Sequence, residues 1–375
     1  MIRQALMIAA VLLAVILAPA AGAQPPADQT FLLTFVPNVQ FSPVYVALEK
    51  GYFTEAGFNV TLEHGDEPVN VDLIAAGERQ FGLVSGEEVI KARANGRPVV
   101  YVYEWFQQYP VGIVAPEGVQ SVTDLAGRKV GIPGRFGASY NGLIALLAAN
   151  GMTESDILLD PISFNAPDVF CVGGVEASVV YINNEPLQIQ ERINRGACND
   201  IPAITVFPVS AAADLVSNGL VTNEQMIAEN PEQVAAMVAA FDKGLRGAIN
   251  NPAEAYLLSA KYVENLLADP DLEAALTTLS AQQADLLATN PDHEAISASR
   301  QAMRDSLAER FEESALLQFD VLLSTINLWD ADELGITTPE SWEVTRETLM
   351  MMGLLDKTID LDLDAAFTND FVPGG

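Results

Sequence analysis

Positive charge, histidine and cysteine are all scarce in this chain. Its 375 residues carry 19 Lys and Arg against 50 Asp and Glu, a formal charge of −31. Neutralising a phosphate backbone needs lysines and arginines, so nucleic-acid binding is excluded. Docking on anionic lipid is disfavoured for the same reason. Only two histidines occur, His64 and His293. Neither sits in a pattern with metal-ligand spacing, and no G-x-S-x-G, H-E-x-x-H or Walker motif is present. His64 lies in an acidic stretch, Glu63 to Glu67, that reads as a solvated loop. The pairs Asp66/Glu67 and Glu87/Glu88 read as solvated faces, because adjacent helical residues point apart. No metal, cofactor or catalytic group is expected.

What remains is a globular composition. Half the residues are hydrophobic and 18% are charged, which excludes a disordered chain. The length allows two domains. Arg3 is followed by a nearly unbroken apolar run from Ala5 to Pro19, then by Ala21-Gly22-Ala23. A charged start, a short apolar segment and a small-residue site form a cleavable export signal, expected to be residues 1–23. The apolar run is shorter than the roughly 20 residues of a spanning helix. No cysteine follows the cleavage site, so no lipid anchor is expected. The mature chain, from Gln24, is expected to be an extracytoplasmic monomer, in a periplasm or at a cell surface, kept soluble by its charge.

Cys171 and Cys198 each precede a strand-like run, Ala177–Ile182 and Ile204–Val209. If those strands are parallel, both sulfurs lie at one end of a sheet. In an oxidising compartment a disulfide is then available; two small core residues are the alternative.

Short apolar runs alternate with amphipathic stretches of about ten residues, the βαβ signature of a mostly parallel sheet. Strands are expected at Phe31–Val36, Phe58–Leu62, Phe81–Val84, Val99–Tyr103, Val111–Ala115, Lys129–Ile132, Ile162–Phe164, Ala177–Ile182 and Ile204–Val209. After residue 222 long helices dominate, including Pro231–Asn250, Pro252–Leu267 and a stretch to about Thr325. The expected architecture is α/β with two lobes. Residues 24–115 and 210–375 form the first, 116–209 an inserted second, with hinges near 112–117 and 206–211. Ligands bind outside the carboxyl ends of strands in such sheets, so facing lobes make a cleft that closes on a ligand.

Candidate binding residues gather at those strand ends. Gly131 to Tyr140 is a strand, a glycine-rich turn and a helix start, and offers Arg135, Phe136, Ser139 and Tyr140 to a polar ligand edge. A capped tight turn explains the same residues structurally. Tyr181, Asn183, Asn184 and Glu185 end another strand and could read the edge of a heterocycle; helix capping with Pro186 in the first turn explains them equally. Glu104 and Trp105 end a third, and Phe35, Asn38 and Phe41 follow the first. For Phe41, at helical spacing with Tyr45, core packing is the simpler reading.

Several stretches resemble the extracytoplasmic solute-binding proteins of ABC transporters of the thiamine-pyrimidine, nitrate, sulfonate and taurine type. They are Phe31–Glu63, with Lys50-Gly51-Tyr52-Phe53-Thr54-Glu55-Ala56-Gly57 at its centre, Leu73–Val89, Val122–Asn141, Tyr181–Leu187 and Ala366–Phe371. The resemblance implies a type II periplasmic-binding fold, a small-molecule ligand and an ABC permease as partner. Residues 134–140, 181–186 and 328–343 look most like branches that bind vitamin-type heteroaromatics, riboflavin or the hydroxymethylpyrimidine precursor of thiamine. One branch of the family is a pyrimidine synthase that needs a lysine, a histidine and a cysteine-rich run. Val84 and Glu88 stand where that lysine and histidine would fall, and the cysteine-rich run is missing, so a binding protein rather than an enzyme is implied. The anion branches fit less well, since small hard anions want Arg, Lys or Ser, and these strand ends offer rings, amides and a carboxylate.

Overall fold

The computed structural model describes residues 26–374; the export signal expected at 1–23 lies outside them. The first run of elements is β1 (Ala27–Leu33), α1 (Ser42–Glu49), α2 (Tyr52–Glu55), β2 (Phe58–His64), α3 (Glu67–Ala75), β3 (Phe81–Ser85), α4 (Gly86–Ala94) and β4 (Val99–Glu104). The second is β5 (Val111–Pro116), β6 (Lys129–Ile132), α5 (Gly137–Ala149), β7 (Leu158–Pro161), α6 (Ala166–Cys171), β8 (Ala177–Tyr181), α7 (Glu185–Asn194) and β9 (Ile204–Pro208). Then come β10 (Asn218–Asn223), α8 (Glu224–Glu229), α9 (Pro231–Asn250), α10 (Pro252–Ser259), α11 (Pro270–Leu287), α12 (His293–Ala308), α13 (Glu313–Trp329) and α14 (Pro339–Met351). Proline opens or nearly opens α3, α7, α9 and α10, where its missing N–H costs nothing and its fixed φ suits the first turn.

Two five-stranded mixed sheets result. The first has the order β2-β1-β3-β10-β4, the second β7-β6-β8-β5-β9. In each, one strand runs antiparallel: β10 against β3 and β4, and β5 against β8 and β9. These are the strands that follow the two crossings. The chain leaves the first sheet after Glu104 and enters the second at Val111, and it returns between Pro208 and Asn218. Residues 111–115, expected with the first lobe, therefore pair in the second sheet. Alternation marks them as a strand but does not say which sheet accepts it.

Other local expectations also shift. The strand expected at 162–164 lies at 158–161, because β7 pairs with β6 from Lys129↔Leu158 to Ile132↔Pro161. β10 had no counterpart in the sequence reading. The helix expected over 252–267 ends at Ser259.

Helices cover both faces of each sheet. α1, α9, α10 and α13 pack on one face of the first, and α3, α4 and α14 on the other. Gly244 lets α9 approach α1 closely, since a Cβ there would stand 2.1 Å from the carbonyl oxygen of Pro43. The C-terminal segment closes the β4 edge: Tyr101 N–H donates to Ala366 O at 2.9 Å, and Thr368 N–H to Tyr101 O at 2.9 Å. Pairing this edge removes a site for unwanted strand addition. In the second sheet α5 covers one face, while α6 and α7 cover the other. Cys171 ends α6 and bonds Cys198 beyond α7, with Sγ–Sγ 2.06 Å and Cα–Cα 4.1 Å. β8 and β9 both run antiparallel to β5 and so are parallel to each other, which places the two cysteines at one end of the sheet.

Among the described residues no helix is long and apolar enough to cross a membrane.

Candidate functional site

The carboxyl ends of β1, β6 and β8 face one another across a cleft. The loop after β1 brings Thr34, Phe35, Gln40 and Phe41. The turn after β6 brings Pro133, Phe136, Gly137, Ala138 and Ser139, and β8 with the start of α7 brings Tyr181 and Glu185. Trp105, Phe106, Asn218, Glu67 and Phe164 complete the lining, and no Lys, Arg or His belongs to it. This slot encloses about 820 Å³ counted out to open solvent.

Rings line the slot unequally. Trp105 is buried between Phe41 and Trp329, with centroids at 5.8 and 5.7 Å and ring planes within about 30°. Both its faces are used by the protein, so it presents an edge, and its Nε1–H is buried with no partner. Phe136 is half-buried, forms no ring pair among the described residues and packs its ring against Gly134, where a Cβ would collide with it. Phe35 and Phe164 meet edge to face across the cleft, centroids 4.8 Å apart at 85°. Ser163, just before Phe164, has φ +53. That left-handed backbone costs a non-glycine residue roughly 1–2 kcal/mol, and it sets the direction of Phe164.

Carboxylates hold the two sides together. Glu67, at the start of α3, accepts the Ser85 N–H at 2.7 Å and Asn218 Nδ2 at 3.2 Å on one oxygen. Its other oxygen accepts the N–H of Ala138, in the first turn of α5, at 3.1 Å. Glu88 accepts the Gly137 N–H at 3.1 Å and Asn141 Nδ2 at 3.3 Å, and pairs with Lys91 at 2.6 Å. Thus two carboxylates on the first sheet's helices cap the N-terminus of the second sheet's longest helix, where the helix dipole favours negative charge. Glu87 meets the Tyr109 hydroxyl. Burial, then the charge of Glu88, pushes the Glu67 carboxyl up to about 7. Burial, then the charge of Glu67, pushes Glu87 up to about 8. Glu185 rises to about 7 through burial, while its Oε2 accepts the Tyr181 N–H at 2.8 Å.

The residues singled out from sequence divide sharply. Phe35, Phe41, Trp105, Phe136, Ser139, Tyr181 and Glu185 line the slot. Asn38 instead accepts the Gln40 N–H at 3.0 Å as a helix cap. Asn183 is fully buried and donates to Gln40 Oε1 at 2.9 Å and Thr325 Oγ1 at 2.7 Å, strapping the two sides together. Asn184 donates to Glu185 Oε1 at 3.3 Å and accepts from Gln188 at 2.8 Å. Glu104 stands apart from the slot; burial, then the charge of Asp214, pushes it up to about 8. Arg135 is exposed and forks onto Glu154 at 2.8 and 3.0 Å, and Tyr140 donates to the same carboxylate at 2.7 Å. Both point outward because the turn's glycines and Phe136 occupy the inner side.

Glu67, Gln40, Phe164 and Asn218 were not singled out as ligand contacts. Glu67, Glu87 and Glu88 are buried at 5%, 1% and 6% exposure, not on solvated faces. The signal available was the start of a helix directly after a strand's carboxyl end. His64 ends β2 rather than lying in a loop, with Nδ1 against the Phe35 carbonyl and its ring on Phe41. Burial lowers its tendency to protonate.

The family model described as NMT1/THI5 like matches residues 38–255. The chain belongs to that family. It is 33% identical over 366 residues to the riboflavin-binding protein RibY of Chloroflexus aurantiacus, covering 96% of this chain and 90% of that one. It is 23% identical over 234 residues to a 4-amino-5-hydroxymethyl-2-methylpyrimidine phosphate synthase of Legionella pneumophila, covering 61% and 72%. Its fold is that of the periplasmic binding proteins. The sulfonate-binding protein SsuA of Methylobacillus flagellatus superposes with a TM-score of 0.57 at 14% identity, over 93% of each chain.

Proposed function

We propose that the chain captures an uncharged, flat heteroaromatic of the riboflavin type and delivers it to an ABC permease. The observation that carries this reading is the occupied start of α5. Its free amides are the natural seat of an anion, and Glu67 and Glu88 already fill them. Among the described residues no Lys, Arg or His lines the slot, so nitrate or a sulfonate meets carboxylates and rings and no counter-charge. A planar ring finds the half-buried ring of Phe136, the edge of Trp105 and the amide nitrogen of Gln40. The RibY relative, matched along nearly its whole length, supports a flavin over the smaller pyrimidine.

We read the site as binding, not catalysis. The raised carboxyls of Glu67 and Glu185 spend their oxygens on backbone N–H groups and amides of the protein, which leaves them poorly placed as proton carriers. The two sheets are the cores of two lobes that close about the crossings at 104–111 and 208–218. The Cys171–Cys198 bond supports an extracytoplasmic location.

The test is a titration of refolded, ligand-free protein from residue 24 onward. Riboflavin is expected to bind one to one, with its fluorescence quenched. Thermal stabilisation by the hydroxymethylpyrimidine alone, without flavin quenching, would move the ligand to the smaller ring. Stabilisation by an alkanesulfonate would overturn the reading.

A further inference from the structure

We propose that a basin beside the slot receives an uncharged polyhydroxyl arm of the ligand and rejects the same arm once phosphorylated; this rests on the riboflavin-type reading above. Slot and basin adjoin, since Phe35, Phe164 and Glu185 line both, with the Phe35–Phe164 ring pair at their boundary. The basin lies between the α7 side of the second sheet and the segment joining α10 to α11, with α13 as its floor. It opens to solvent.

The chemistry of its walls differs from that of the slot. Amides from Asn38, Asn184, Gln188, Asn265 and Gln318 line it; Asn184 is spent on Glu185 and Gln188, which leaves the Asn38 nitrogen, the Gln188 oxygen and the whole amides of Asn265 and Gln318. An amide both donates and accepts, and so does a hydroxyl, so a chain of hydroxyls finds matching partners. Its ionisable groups are all acidic, Glu185, Glu264 and Asp269, and no Lys, Arg or His is present. The N-terminus of α11, which could hold a phosphate, is capped by Asp269, which accepts the Asp271 N–H at 2.9 Å. A phosphate carrying close to two negative charges at neutral pH meets acidic side chains and no counter-charge.

Three probes separate the parts: riboflavin, its phosphate ester, and lumiflavin, which keeps the ring system but has a methyl group for the arm. Each is titrated against the ligand-free protein by flavin fluorescence at fixed salt. Riboflavin is expected to bind about tenfold tighter than lumiflavin, as two or three hydroxyl contacts of ordinary strength would give. It is also expected to bind at least about tenfold tighter than the phosphate ester. Glu264→Lys, an exposed substitution, is expected to narrow the deficit of the ester relative to riboflavin. Equal affinity for lumiflavin and riboflavin overturns the arm site while leaving the ring reading intact. Equal affinity for the ester, or no response of the ester to Glu264→Lys, overturns the charge exclusion. Silence with all three overturns the riboflavin-type reading, and this inference with it.

Discussion

A Cβ on Gly137 would stand 2.0 Å from Oε2 of Glu67. The two residues come from opposite sheets, and their contact is where the first turn of α5 meets the start of α3. Gly137 has φ +61, so the position demands glycine twice, for the backbone and for the space.

Gly137→Ala is therefore expected to destabilise the protein by at least about 1–2 kcal/mol from backbone strain alone, with a further loss as Glu67 is displaced. Urea unfolding measures it. Paired with Glu67→Ala, the same substitution is expected to cost less, because the clash is gone. A full, additive loss in the double variant would show that the clash is not what Gly137 avoids.

Stability should respond to pH through the carboxyls at the lobe contact. Glu67 and Glu185 titrate near 7 and Glu87 near 8 in the folded chain, against about 4.3 when unfolded. Their folded pKa values are raised, so the folded state holds protons that the unfolded state has released. Their contribution is whole below about pH 4 and is lost as pH rises to about 8. Each such group lowers stability by up to about 1.4 kcal/mol per pH unit in that window. Glu87→Gln keeps an acceptor for Tyr109 and removes one titration. Between pH 5 and 8 its stability is expected to fall less steeply than that of the parent, by close to one proton. Parallel profiles would rule out a raised pKa for Glu87.

Phe136 and Trp105 should separate binding from folding. Phe136→Ala removes a half-buried ring and is expected to weaken a flat ligand by about 1–3 kcal/mol, as loss of an aromatic stacking platform does, with little change in melting temperature. Trp105→Ala empties a place between Phe41 and Trp329 and is expected to cost about 3–5 kcal/mol of stability. Titrations with both variants, alongside thermal melts, check this. A stable Trp105 variant with unchanged packing would contradict the ring ladder.

Reduction of Cys171–Cys198 frees a loop of 27 residues. The chain-entropy model gives a loss of about 3–4 kcal/mol. Cys171→Ser is expected to lower the unfolding midpoint accordingly, and a reductant should no longer affect the variant. Unchanged sensitivity to reductant in Cys171→Ser would refute the assignment.

Much of the fold was legible because strand and helix periods are local. β6 and α9 stand at the bounds expected from their own residues, Lys129–Ile132 and Pro231–Asn250. β10 was not legible. Its six residues are buried without exception, so no alternation marks them, and its place between β3 and β4 depends on residues more than a hundred positions away. The aromatic side of the slot was legible from strand ends. Its carboxylates were not: Glu67 and Glu88 look like surface charge until the start of α5, some 50 to 70 residues on, is folded against them. Arg135 and Tyr140 erred in the other direction, since a turn's sequence does not tell which side of it faces the cleft.

The sequence by itself determined the alternating α/β elements, the family and the aromatic character of the strand ends, because periodicity and motif are properties of neighbouring residues. Only the tertiary structure decided which face of each turn lines the slot. It also decided which glutamates are buried and what fills the N-terminus of α5. Those depend on two sheets meeting, and burial rather than residue type sets what a carboxyl group does there.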